Sequence, residues 1–180
     1  MWSYEGKTAA NKYNPHLCVL LEDKANRELL NGFIGHLEVN DRAIKKLEIS
    51  GGWKDVISDF KKHQVSEMRR YPKRYTLMLL DLDLDRENRQ IQIAEAVPEF
   101  LKDRVFALSS WKDPESLQKA LGWKRERIGE VIAEECVRGE QGSSIWQHDL
   151  LRHNLREVKR LKKLEFLFLH QSHSGFRSRE

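Results

Sequence analysis

Residues 75–80, Tyr-Thr-Leu-Met-Leu-Leu, form an uncharged run that ends on Asp81. A short apolar run without polar alternation describes a strand covered on both faces, which points to a parallel sheet with helices above and below it. "HLCVLLE" at 16–22 has the same character, and "AIKKLEIS" at 43–50 and "RVFALSS" at 104–110 supply two more strands. Helical spacing fills the intervals. Ala25, Leu29, Leu30, Phe33, Ile34 and Leu37 mark a helix over 24–37, and Val56, Ile57, Phe60 and Val65 mark another before Tyr71-Pro72. Residues 86–101 read as a helix kinked or broken at Pro98. In 113–122, Asp113 suits an N-cap, Pro114 the first helical position and Gly122 the stop. Residues 125–137 and 144–164 read as further helices, and 165–170 as a last strand. The alternation predicts an α/β, Rossmann-like fold: a mostly parallel sheet of four or five strands with helices on both faces. It divides into a unit at 1–122, with a polar lead-in over 1–15, and a helical C-terminal extension at 123–180.

The bulk numbers narrow the setting. Of 180 residues, 33% are charged and 39% hydrophobic, which suits a folded domain rather than a disordered chain. The two cysteines, Cys18 and Cys136, form neither a disulfide framework nor a paired metal motif, so a reducing cytoplasm is expected. The first twenty residues contain no signal-peptide core, and no apolar run reaches the ~20 residues needed to span a bilayer, so no membrane partner is expected. The net charge of +4 is unevenly placed. Residues 151–180 hold eight Lys/Arg against three Asp/Glu, which leaves the rest of the chain near neutrality.

Asp81, Asp83 and Asp85 follow the apolar strand at spacings of two. Two carboxylates ~4 Å apart repel by about 4 kcal/mol at an effective dielectric of ~20. A helix cap explains one of them, most naturally Asp85. A calcium loop counted from Asp81 would need Gly at position 86 and Glu at position 92, where the chain has Arg86 and Gln92. A magnesium or manganese site for phosphoryl transfer accounts for the cluster better, because the ion offsets the repulsion and acts as a Lewis acid on the scissile phosphate. Glu22, at the same end of the first strand, is the natural further ligand or proton acceptor.

Glu22 in "CVLLED", the glycine pair in "EISGGW" and the DxDxD of "LMLLDLDLD" together resemble a TOPRIM domain, the catalytic domain of topoisomerases, primases and OLD-type nucleases. The resemblance covers roughly residues 16–122. It implies Mg²⁺- or Mn²⁺-dependent phosphodiester chemistry on DNA or RNA, with Glu22, Asp81 and Asp83 catalytic and Asp85 a further metal ligand. The chain has no room for the extra domains of a topoisomerase or primase, so the resemblance is to a stand-alone, OLD-like nuclease of phage defence. Proteins of that kind commonly act with an ATPase of the ABC or AAA type, and an oligomer is compatible with that setting. Lys24 and Glu115 are accessory candidates. A second resemblance is to a response-regulator receiver: "VLLEDKANRELL" looks like its opening strand with an acidic pair, "LMLLDL" like its phosphoacceptor strand, and Ser109 or Ser110 would be its switch hydroxyl. A catalytically inert TOPRIM-like binding protein is a third expectation.

Trp146, Leu150, Leu151, Leu155 and Val158 form the apolar stripe of the helix expected at 144–164. Arg152, Arg156, Lys159, Arg160 and Lys163 make its other side basic, a surface for nucleic acid or a larger partner protein. His148 and His153 stand five apart, not the four of a helical zinc pair, so with Asp149 they are read as the rim of a core or an interface.

Overall fold

Four strands, β1 (His16–Leu21), β2 (Ile44–Ile49), β3 (Arg74–Asp81) and β4 (Val105–Ser110), pair in the order β2-β1-β3-β4, all parallel. The computed structural model describes residues 11–82, 85–110, 112, 114–138 and 144–169. Asp83, Asp113, the first ten residues and the tail from 170 onward lie outside the described residues. Helix α1 (Lys24–Ile34) joins β1 to β2. A continuous helical segment of α2 (Trp53–Asp59), a π-helical stretch (Phe60–Gln64) and α3 (Val65–Arg70) joins β2 to β3. Helix α4 (Arg86–Ala96) and a 3₁₀ segment (Glu99–Arg104) join β3 to β4, separated at Pro98 as the sequence predicts. Helices α5 (Pro114–Leu121), α6 (Arg125–Arg138) and α7 (Leu155–Leu161) follow.

β1 and β3, at the centre of the sheet, are buried on both sides, because successive side chains face opposite layers, while the edge strand β2 exposes Lys45, Lys46 and Glu48. Leu17, Val19 and Leu21 of β1, Leu77 and Leu79 of β3 and Phe106 of β4 pack with Leu30 of α1, Ala133 of α6 and Leu161 of α7. Leu20, Met78, Leu80 and Val105 face the other way, against Val56, Phe60, Met68, Ile93 and Leu101. Burying one such side chain contributes roughly 1.5–3 kcal/mol. The β1–β2 connection runs one way across the sheet and the β2–β3 and β3–β4 connections run the other. Their helices accordingly lie on opposite faces, as crossovers of one hand require.

Helices α1 and α6 meet at two glycines. A Cβ on Gly32 would stand 1.9 Å from the Glu126 carbonyl oxygen, and one on Gly129 would stand 2.0 Å from that of Leu29. Only hydrogen at both positions lets the two backbones come this close. Through this contact α6 joins the main core, and Ile128, Ile132, Trp146, Leu151, Val158 and Leu117 extend it into a third apolar cluster.

The C-terminal segment departs from expectation in two places. Residues 144–164 are not one helix: 3₁₀ turns at Ile145–Gln147 and Arg152–Asn154 precede the short α7. Glu135 takes the Ile145 N–H at 2.7 Å and the Ser144 hydroxyl at 2.7 Å, and the Asn154 side chain turns toward the β4 backbone, so both interrupt helical pairing. Residues 165–170 do not add a fifth strand. Glu165–Leu167 is a 3₁₀ turn, and the described part of this segment makes one antiparallel bridge, Val39 with Phe168. Cys18 and Cys136 are free thiols, and burial pushes both upward in pKa, Cys136 to about 12, so neither is poised as a thiolate nucleophile. Among the described residues no helix is long and apolar enough to cross a membrane.

Candidate active site

The strand order places a topological switch point between β1 and β3, since the chain leaves β1 toward one edge of the sheet and β3 toward the other. The crevice beyond the carboxyl ends of two such strands is where open α/β sheets bind their ligands. Glu22 and Asp81 flank that crevice.

Glu22 follows β1 directly. Its N–H donates to the Leu79 carbonyl at 3.2 Å, and its Oε2 accepts the Asp81 N–H at 2.8 Å. The carboxylate thus continues the β1–β3 ladder by one rung after the β1 backbone has turned away. On its other side the Glu22 carbonyl accepts the Gly51 N–H at 3.0 Å. Gly51 has φ of 100°, a conformation that strains any residue with a Cβ, so the first glycine of the pair is needed for this turn. Gly52 is extended and starts α2. Asp81, buried at 8% exposure, pairs in register with Ser110 and follows Leu79 and Leu80 in the alternation, which sets it on the α1 face. There it lines, with Asn26 and Ser110, the polar end of a largely apolar cavity of about 110 Å³. The Asp81 carbonyl accepts Arg89 Nη1 at 2.7 Å, and the Arg89 guanidinium lies 5.0 Å from the centroid of the Trp53 ring. These contacts tie α2 and α4 to the end of β3.

The remaining sequence candidates fall as follows. Asp83 lies outside the described residues. Asp85 is exposed before α4 and accepts the Asn88 side-chain amide at 3.0 Å. Asp23 caps α1, its Oδ1 accepting the backbone N–H and the side-chain amide of Asn26, both at 2.9 Å. Lys24 projects into solvent, 3.9 Å from Glu28. Glu115 is held by Arg125 at 2.7 Å, and Arg125 also binds Glu28 at 2.7 Å, clamping α5, α6 and α1 together. The Glu28 hydrogen bond is the main reason the Arg125 pKa rises above its ordinary value.

Arg156, Lys159 and Lys163 are exposed, and Arg152 is 3.3 Å from Asp149. Arg160 is instead built into the fold. It binds Glu157 through both carboxylate oxygens, donates to the carbonyls of Val105 and Lys102, and lies 4.6 Å from the Phe106 ring centroid.

Sequence reasoning missed a polar cluster beside Asp81. Asn154 accepts the Ser109 N–H at 3.0 Å and donates to the Ser109 carbonyl at 2.7 Å, closing the outer edge of β4. His153 Nε2 and Ser109 Oγ share a hydrogen bond of 2.9 Å. The pairing joins residues 44 and 45 positions apart, and no local pattern announces it. Ser109 at the end of a strand and His153 on the rim of the C-terminal segment are visible singly, but nothing in the sequence joins them.

Glu22, just after β1, and Asp81, at the end of β3, each offer hard carboxylate oxygens. Such donors suit Mg²⁺ or Mn²⁺, which take one or two carboxylates and complete their shell with water and phosphate oxygens. Among the described residues no group of three His, Cys, Asp or Glu side chains gathers at metal-holding distance. Comparison with protein-family models, with curated proteins and with solved structures finds no match to this chain.

Proposed function

We propose that this protein is a metal-dependent nuclease of the TOPRIM-like kind, hydrolysing phosphodiester bonds of DNA or RNA as the effector of a phage-defence system. The observation that carries the reading is the meeting of Glu22 and Asp81 across the switch point, with the Glu22 carboxylate fixed on the Asp81 amide. Glu22 and Asp81, with Asp83 beyond the described residues, would hold Mg²⁺ or Mn²⁺, and Asp85 would serve as an outer ligand. The bound ion supplies Lewis acidity toward the scissile phosphate.

The protein's own residues do the positioning. The hydrogen bond from the Asp81 N–H holds the Glu22 carboxylate in one orientation, so little side-chain entropy is lost when substrate arrives. The apolar walls near Asp81 lower the local dielectric and strengthen charge interactions there. His153, hydrogen-bonded to Ser109 one strand away, places a ring nitrogen near this end of the sheet. The exposed Arg156, Lys159 and Lys163 are the surface for an ATPase partner of the ABC or AAA type.

Asp81→Asn keeps the shape and removes the charge. Cleavage of nucleic acid in Mg²⁺ or Mn²⁺, with the partner ATPase present, should fall at least about a hundredfold, since even outer-shell partners of a metal cost 10–100-fold. Equal rates for variant and parent would refute the assignment. Labelling of Asp81 by acetyl phosphate would support the receiver reading instead. Binding of nucleic acid without cleavage under every metal and partner condition would support the inert binding protein.

A further inference from the structure

The opposite end of the sheet carries a second cleft. Lys12, Tyr13, Arg70, Tyr71, Pro72 and Lys73 enclose about 320 Å³ where the chain enters β1 and β3. That is the lower end of the size range of small-ligand sites. Its floor is rigid. Arg104 Nη1 donates to the carbonyls of Met68, Tyr71, Pro72 and Arg74, and buried Arg74 is held by Gln64 at 2.8 Å and Glu67 at 3.2 Å.

On this floor Tyr71 is buried, whereas Tyr13 is 68% exposed and meets it edge to face with ring centroids 5.9 Å apart. The Lys12 ammonium stands 5.5 Å from one ring centroid and 5.2 Å from the other, and Arg70 lies 5.5 Å from that of Tyr71. Among the described residues no carboxylate stands within ion-pair distance of Lys12, Arg70 or Lys73. Lys12 over both rings, Arg70 over Tyr71 and Lys73 in the same cleft thus gather three cations beside one exposed aromatic ring.

We propose that this cleft binds single-stranded nucleic acid, with one base stacked on Tyr13 and the flanking phosphates held by Lys12, Arg70 and Lys73. The pairing of chemistries selects the ligand. The cations alone would suit any polyanion, but the open ring adds affinity only for a partner that alternates flat groups with charge. A duplex keeps its base faces stacked inside and offers the ring nothing, and an acidic peptide carries no flat group at each charge. The cleft is separated from Asp81 by the length of β3, seven residue steps or about 23 Å at ~3.3 Å per residue, so it is a site apart from the Glu22–Asp81 crevice. The inference stands independently of the nuclease reading.

The test is fluorescence anisotropy of a labelled oligothymidine of about a dozen nucleotides, within the site size of single-strand binders, in EDTA so that no cleavage can occur. The parent protein should bind it and prefer it to the matching duplex. Tyr13→Ala should weaken binding about tenfold, the range of one lost base stack, while Tyr13→Phe should retain it. The triple variant Lys12→Ala, Arg70→Ala, Lys73→Ala should weaken binding further and reduce the salt slope by about 2, at ~0.7 per phosphate contact on a single strand. All four side chains are exposed, and unchanged circular dichroism melting confirms that the variants fold. No binding by the parent overturns the proposal. So does a Tyr13→Ala affinity within twofold of the parent, or displacement by polyglutamate as effective as by unlabelled oligothymidine.

Discussion

At the amino end of the sheet three guanidinium groups are spent on the fold: Arg104 on four carbonyls, Arg74 on Gln64 and Glu67, and Arg160 on the carbonyls that border the start of β4. At the carboxyl end Arg89 is likewise tied to the Asp81 carbonyl, but acids gather beside it, Glu22 on the Asp81 amide and Asp23 on the first turn of α1. The topology sorts them. In a parallel sheet joined by helices, helix C-termini with their bare carbonyls gather at the amino end, and helix N-termini with their bare N–H groups gather at the carboxyl end. Cations are stabilised at the first and anions at the second, typically by 0.3–1 kcal/mol each on the surface. Arg104 shows the first case at the end of α3, and Asp23 shows the second at the start of α1. Basic groups at one end mainly brace loops, while acids at the other lie where ligands enter.

The largest expected effect tests the bracing role. Arg104→Ala leaves the carbonyls at the end of α3 without their shared donor, and hydrogen bonds to a charged group contribute about 1.5–3 kcal/mol. The variant should lose about 3 kcal/mol in urea unfolding. Any activity that depends on Asp81 should survive under conditions where the variant remains folded. A loss below about 1 kcal/mol would mean that water replaces the guanidinium and that the amino end is not braced as described.

A smaller effect separates two kinds of basic residue on one short helix. Arg160→Ala should cost about 1.5 kcal/mol, because it uncovers Phe106 and releases Glu157 and two carbonyls. Lys159→Ala, at an exposed position, should change stability by less than about 0.5 kcal/mol. Equal effects would erase the distinction between the guanidinium built into β4 and the exposed charges beside it.

The smallest effect is a pH dependence. Burial lowers the His16 pKa from its ordinary value, and its Nδ1 bonds the Asn14 carbonyl at 2.8 Å. The folded imidazole therefore stays neutral where the unfolded one takes a proton. Its contribution is complete above about pH 6.5 and falls as pH drops through that value toward the lower folded pKa. Urea midpoints at about pH 7.5 and 5.5 should show a larger drop for the parent than for His16→Asn. Identical drops would place the acid sensitivity elsewhere.

Much of the architecture is legible in the chain. The runs of β1, β3 and β4 are largely uncharged because both faces are covered, whereas the edge strand β2 keeps Lys45, Lys46 and Glu48, and Pro98 and Gly122 end elements where their backbones require it. The C-terminal third misleads for a physical reason. Trp146, Leu151 and Val158 do enter one apolar cluster, as a helical stripe would, yet Glu135 and Asn154 bend the backbone between them into turns. "EFLFLH" has the composition of a strand, but the outer edge of β4 is already taken by Asn154 and Arg160, so no ladder is open to it there.

The candidate site divides in the same way. Glu22 and Asp81 are visible as acids at strand ends, because in a parallel α/β chain a strand end is a place in the sheet as well as in the sequence. The bond from the Asp81 amide to Glu22 and the Ser109–His153–Asn154 cluster are not visible, because they join residues dozens of positions apart. Gly32 and Gly129 sit in helices where a periodicity argument passes over them, yet together they set how closely α6 approaches α1. Local chemistry acts through neighbours along the chain, so the sequence by itself determined the strands, their parallel order of connection and the end of the sheet where the acids lie. Contacts across the fold depend on backbone approach and on which edges are already paired, and only the tertiary structure decided those.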